Sequence, residues 1–138
     1  MKGVDGMIRL QKWQLDEKRR ELSDMEVMRH DLLGRAAALE DEMRTEQHHA
    51  ATSESGYAYG AYASGVIERR RVLQTSIREV ERSIDAKKRE ISEAFQDLKK
   101  YEILAERQVI REKEAEAKKA QANIDEISLN MFRRAKVG

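Results

Sequence analysis

The feature that most constrains this chain is a seven-residue repeat of apolar side chains in both halves of the sequence. In the first half, its two core positions hold Ile8, Leu15, Leu22, Arg29, Ala36 and Met43, and Gln11, Lys18, Met25, Leu32 and Leu39. Residues at this spacing share the face on which one helix coils around another. The pattern therefore predicts a first coiled-coil helix over about residues 5–50.

A second and more regular stripe begins at Val66. Its core positions hold Val66, Leu73, Val80, Lys87, Ala94, Tyr101, Gln108, Ala115, Ala122 and Leu129, and Ile77, Ile84, Ile91, Leu98 and Ala105. The stripe predicts a second helix over about residues 62–134. Four apolar residues lie off it, namely Ile103, Leu104, Val109 and Ile110. We therefore expect the packing to change near residue 105.

The segment between the stripes is rich in residues that form turns. Ser53, Ser55 and Gly56 stand in it, and glycine tolerates conformations that other residues avoid. A turn over about residues 51–61 would fold the chain into an all-α, elongated antiparallel coiled-coil hairpin that forms a single domain over residues 1–138. Such a hairpin places Met43 opposite Leu73 and Leu32 opposite Ile84. The second helix is longer, so we expect residues beyond about 112 to have no partner within the hairpin.

The composition excludes several other classes of protein. Proline and cysteine are absent, charged residues make up 38% and aromatic residues 5%, which argues against a β-rich fold, a thick globular core, disulfides and thiolate metal sites. Residues 1–63 carry a net charge of −3 and residues 64–138 a net charge of +4, so no large basic field is available for nucleic acid. No stretch is apolar enough to cross a bilayer, and we expect a cytoplasmic protein without membrane insertion.

The residue patterns that usually support catalysis are not assembled in this sequence. No glycine-rich loop precedes a Lys-Ser or Lys-Thr pair, so a nucleotide site is not expected. His48 and His49 are adjacent, and neighbouring side chains on a helix point about 100° apart, which disfavours a shared metal. Glu42 and Glu46 share a face but lack a pocket that would shift a pKa. We predict a protein that is not an enzyme and needs no cofactor or metal.

Two groups of residues are candidates for binding a partner. Met7, Leu10 and Trp13 follow each other off the stripe, which predicts an outward tryptophan that anchors a partner or is covered by the second helix. Tyr57, Tyr59 and Tyr62 cluster at the predicted turn, where they either dock a partner or close the end of the coil. Leu129 and Phe132, in the unpaired end of the second helix, are further candidates for partner binding.

Three segments of the chain resemble a known family. They are Ile8-Arg9-Leu10-Gln11-Lys12-Trp13-Gln14-Leu15-Asp16-Glu17-Lys18-Arg19-Arg20, Tyr57-Ala58-Tyr59-Gly60-Ala61-Tyr62-Ala63 and Phe95-Gln96-Asp97-Leu98-Lys99-Lys100-Tyr101-Glu102. They resemble the FliJ family of the flagellar type III export apparatus, which is related to the secretion protein YscO. The similarity covers the whole chain, and the tryptophan segment and the tyrosine segment are its specific parts.

The resemblance implies a stalk-like coiled coil that engages a hexameric export ATPase and the membrane protein of the export gate, with export chaperones as further partners. It implies a cytoplasmic protein that is peripheral at the flagellar base, on the inner face of the cell membrane. The competing interpretation is a generic coiled-coil scaffold or chaperone that pairs with itself through the end of its second helix.

Overall fold

The fold consists of two long helices. The structure is a computed structural model that describes residues 2–52 and 56–137, with side chains described over 3–51 and 59–136. α1 spans Lys2–Thr52 and α2 spans Gly56–Val137, and the described residues include no strand. The two helices pack against each other as a hairpin, which confirms the predicted all-α fold. No helix among the described residues is long and apolar enough to cross a membrane.

The chain divides into two compact units, and both helices contribute to each. The central unit comprises Gln14–Ala94, and the terminal unit comprises Met1–Trp13 together with Phe95–Gly138. The prediction of a single domain stays a prediction.

The predicted heptad stripes form the core of each unit. In the central unit the buried side chains are Leu15, Leu39, Val66, Val80, Ile84 and Ala94, and in the terminal unit Leu98 is buried. All seven are members of the two stripes read from the sequence. Each well-buried aliphatic side chain contributes roughly 1.5–3 kcal/mol, and these contacts hold together helices whose intrinsic propensity alone would be insufficient.

Ion pairs across the two helices of the central unit show that they run antiparallel. Lys18 pairs with Glu90 at 3.6 Å, and Arg29 Nε donates to Glu81 at 3.2 Å. Nearer the turn, Arg70 Nη2 donates to Glu40 Oε2 at 2.8 Å. As the residue numbers on α1 rise, those of their partners on α2 fall.

The second helix begins earlier than the sequence predicted. Residues 56–61, which we expected in the turn, are helical, and residues 53–55 lie outside the described residues. Neither Gly60 nor Gly65 has a positive φ. Glycine in a helix interior costs only about 1 kcal/mol, and the alanines around these glycines favour helix, so the segment continues the helix. The predicted turn was therefore too long at its second end.

The shorter connection changes the register of the hairpin. Met43 was expected opposite Leu73, but its Sδ lies 3.4 Å from Nη2 of Arg70. Leu32 was expected opposite Ile84, which in an antiparallel hairpin would place Arg29 opposite Lys87. Arg29 instead pairs with Glu81. Residues of α1 thus face residues of α2 about one helical turn closer to the start of α2 than predicted.

Candidate partner-binding surfaces

The first candidate surface lies in the terminal unit, on the part of α1 that carries the tryptophan. Ile8 and Gln11 are half-buried there, so they occupy the face of α1 that packs. Met7, Leu10 and Trp13 lie off this face and are exposed, Trp13 by 62%. We call these three residues the Trp13 surface. The predicted outward position of Trp13 is confirmed, because α2 leaves most of the indole open to solvent.

The second candidate surface lies at the far end of α2, in the same unit. Every described side chain from residue 109 to residue 136 is exposed, including Leu129 and Phe132. The ammonium group of Lys136 lies 5.6 Å from the centre of the Phe132 ring, which is within range of a cation–π contact. The aromatic ring is thus approached by a cation of its own helix and stays accessible.

The structure does not join these two surfaces. Gln108 is the last half-buried side chain of α2, so it marks the end of the part of α2 that packs. Leu129 lies about 30 Å beyond Gln108 along the helix axis, at 1.5 Å per residue. The Trp13 surface and the pair Leu129 and Phe132 are therefore separate patches.

The tyrosines near the turn lie in the central unit and are partly covered. Tyr59 and Tyr62 are half-buried, and their ring centres are 6.3 Å apart at an interplanar angle of 36°. The side chain of Tyr57 lies outside the described residues. Two of the three predicted tyrosines are thus brought together, although neither is fully exposed.

The hydroxyl group of Tyr62 is in an unusual setting for a surface tyrosine. Its oxygen is buried close to the carboxylate of Glu42, without the full geometry of a hydrogen bond. Burial raises the pKa of Tyr62 above its ordinary value, and the carboxylates of Glu42 and Glu46 raise it further, while Arg69 lowers it. The nearby carboxylates therefore favour the neutral, hydrogen-bond-donating form of the phenol.

Many charged residues in the described part of the chain are engaged in ion pairs. Arg69 lies 3.7 Å from Glu42, Arg70 donates to Glu40 and Arg71 donates to Glu68, so all three of these consecutive arginines face carboxylates. Arg71 also lowers the pKa of Glu68, first through its hydrogen bond. No group of three His, Cys, Asp or Glu side chains that could hold a metal ion occurs in the described ranges. These side chains form a solvated helical surface.

Sequence reasoning missed part of the exposed apolar surface. Ile124, Ile127 and Met131 are all exposed on the last quarter of α2 and lie off the stripe that contains Leu129. The available signal was the spacing of Ile124 and Met131, which fall on the same seven-residue repeat as Ile103 and Ile110.

Comparison with known proteins places the chain in one family. The family model described as "Flagellar FliJ protein" matches residues 10–136, which is nearly the whole chain. No curated protein and no solved structure gives a significant match. The match includes Leu10, Trp13, all of the second stripe and the exposed end of α2. The chain therefore belongs to the flagellar FliJ family and is a component of the flagellar export apparatus.

Proposed function

We propose that this protein is a non-enzymatic, stalk-like component of the export apparatus that binds the hexameric export ATPase through the Trp13 surface. The observation that carries the proposal is the 62% exposure of Trp13 beside Leu10 and Met7, which are exposed as well. A tryptophan that its own fold leaves open, next to other apolar side chains, is the kind of residue that anchors a protein interface.

The remaining candidate residues fit additional contacts in the same apparatus. Leu129 and Phe132 offer exposed apolar area to the ATPase at a second point, because the two patches are separate. Tyr59 and Tyr62 present half-buried rings near the turn, and we assign to them the contact with the export gate's membrane protein or with export chaperones. These contacts would hold the protein on the cytoplasmic face of the membrane at the flagellar base.

The test uses the purified chain and the export ATPase of the same organism. Trp13→Ala should weaken binding by about 2 kcal/mol, or roughly 30-fold, and lower the stimulation of ATP hydrolysis. It should leave the melting temperature unchanged because the indole is mostly solvent-exposed. Val27→Ala is the matched control, since Val27 is an exposed apolar residue of α1 in the other unit. Tyr59→Ala should also spare the ATPase contact.

The opposite pattern would overturn the proposal. If Trp13→Ala lowers the melting temperature while binding to the ATPase is retained, the residue contributes to packing and the docking surface lies elsewhere.

A second candidate function is favoured by the exposure of every described side chain in residues 109–136. Apolar residues in this segment would also suit a scaffold that pairs with itself. Size-exclusion chromatography with light scattering separates the two candidates. A stalk should be monomeric at micromolar concentration, whereas a stable dimer would favour the scaffold.

A further inference from the structure

The face of α2 that carries apolar residues changes within the terminal unit. Leu98 is buried and Tyr101, Ala105 and Gln108 are half-buried, so these residues form the packed face. The opposite face carries Ile103. One heptad earlier, the same position is occupied by the polar Gln96, and from Ile103 onward it is apolar or small at every heptad. Its members, here called the outer stripe, are Ile103, Ile110, Ala117, Ile124 and Met131.

All members of the outer stripe are exposed, and the four large ones have exposed fractions between 46% and 67%. The stripe covers about 40 Å of helix at 1.5 Å per residue. Over the same stretch one core position of the former packed face is charged, at Glu112, Lys119 and Glu126, and the other holds two alanines and one leucine, at Ala115, Ala122 and Leu129. This part of α2 is therefore unsuited to extend the seam, that is, the row of core positions along which α1 and α2 pack.

The spacing of the outer stripe indicates what kind of structure would cover it. An unpaired straight helix has 3.6 residues per turn, so a strict seven-residue repeat drifts around its surface by about 20° per heptad. The repeat stays on one line only when the helix winds around another helix. Five successive heptads therefore favour a helical partner over a flat or globular surface.

Charges beside the stripe decide between a second copy of this chain and a different protein. Three residues after the stripe members, the second core position of the outer repeat holds Glu106, Lys113, Ala120, Ile127 and Arg134. The three charged members have no ion pair among the described residues. In a parallel, in-register pair of identical helices each would face its own copy, and like charges in direct opposition are destabilising. In an antiparallel pair of two copies, each of these charged side chains would be buried against apolar residues of the stripe, and its desolvation would cost free energy.

We propose that the outer stripe binds an amphipathic α-helix of another protein. The partner helix has apolar residues at heptad spacing, carboxylates opposite Lys113 and Arg134, and a cation opposite Glu106. This inference goes beyond the ATPase contact of the Trp13 surface, because it concerns another face of the terminal unit and holds whichever protein supplies the helix.

The test is site-specific photo-crosslinking in the living source organism with the full-length chain. The photoreactive amino acid p-benzoylphenylalanine is placed at Ala117, on the outer stripe, or at Ala115, on the former packed face. The two positions are matched, since both are exposed alanines of the same helical segment. We expect an adduct from position 117 at a yield at least tenfold above that from position 115. Peptide mapping should place the crosslink in a heptad-patterned helix of another protein.

A second variant checks the same face by an independent route. Ala117→Glu should reduce at least tenfold the adduct formed by a photoreactive residue at position 131, whereas Ala115→Glu should leave that adduct unchanged. Neither substitution should alter the affinity of the Trp13 surface for the ATPase, so the two proposals can fail separately. An adduct with a second copy of this chain, equal yields from positions 115 and 117, or crosslinks to non-helical segments would overturn the inference.

Discussion

Lys87 occupies a core position of the heptad repeat and keeps its charge. Its side chain is only 14% exposed, yet Nζ donates to Glu21 of α1 and, at 2.8 Å, to Glu90 of its own helix. These contacts raise the pKa of Lys87, the hydrogen bond to Glu21 most of all, and the hydrogen bond from Lys87 is the main cause that lowers the pKa of Glu90. The aliphatic stem packs in the seam while the ammonium group reaches the carboxylates at its edge.

The sequence placed Lys18, Arg29 and Lys87 at seam positions but did not reveal their partners. A cross-helix partner is determined by the register, and the register depends on the length of the connection between the helices. An error of about one turn at the connection changes the facing residue for every long side chain. The pairs of Lys18 with Glu90 and Arg29 with Glu81 therefore became visible only in the structure.

Lys87→Met should not lower the free energy of unfolding. Methionine keeps the buried stem, and the carboxylates of Glu21 and Glu90, which are about half exposed, regain water when the ammonium group is removed. We expect the variant to lie within about 1 kcal/mol of the original protein or above it in thermal or urea unfolding. Lys88→Met, at an exposed position, is the control. A loss clearly larger than 1 kcal/mol for Lys87→Met alone would show that the ion pairs, and not the stem, supply the stability.

At the level of the helices, the heptad repeat predicted the packed faces well and the helix ends poorly. Leu15, Leu39, Val80 and Ile84 are buried as expected, because the repeat reports directly which face meets the other helix. The start of α2 was misplaced because serine and glycine favour turns only locally. In this chain Gly60 lies among alanines and tyrosines without a proline to stop the helix, and the helical conformation prevails.

Ile84→Asp should destabilise the central unit strongly. Ile84 is buried in the seam, so the substitution removes apolar packing and places a carboxylate at a desolvated position. The nearby Arg29 is already paired with Glu81 and compensates this cost only in part. We expect a loss of about 3 kcal/mol or more, measured by urea unfolding monitored by circular dichroism. Arg82→Asp, two residues earlier on the exposed face, is the control and should change stability by less than about 1 kcal/mol. Equal losses for the two variants would contradict the assigned seam.

At the scale of the whole chain, the candidate surfaces were partly predictable. The outward position of Trp13 followed from its place in the repeat, and exposure of the residues beyond about 112 followed from the unequal helix lengths. The partial burial of Tyr59 and Tyr62 agrees with one of the two alternatives left open for the tyrosines, closure of the end of the coil, but the sequence did not choose between them. The predicted turn also hid the fact that Tyr59 stands on a helix. The outer stripe was missed beyond Ile110, because Ala117 weakens its apolar signal between Ile110 and Ile124.

The distribution of burial along α2 predicts an uneven stability within one continuous helix. Val80, Ile84, Ala94 and Leu98 anchor its middle, whereas residues 112–136 have no buried or half-buried side chain. A helical segment without tertiary contacts depends on intrinsic propensity alone and frays from its free end. Backbone amides in residues 112–136 should therefore exchange with deuterium orders of magnitude faster than those in residues 80–98.

Hydrogen exchange with mass spectrometry on the purified chain measures this difference directly, and a dilution series identifies what would cover the end of α2. Fast exchange of residues 112–136 at all concentrations is expected, since the proposed helical partner is absent from the sample. Protection of these residues that grows with concentration would instead mean that a second copy of the chain covers them, which contradicts the outer-stripe proposal and supports the self-pairing scaffold. Strong protection that does not depend on concentration would mean that the segment packs within its own chain and that its exposed face is not a free surface.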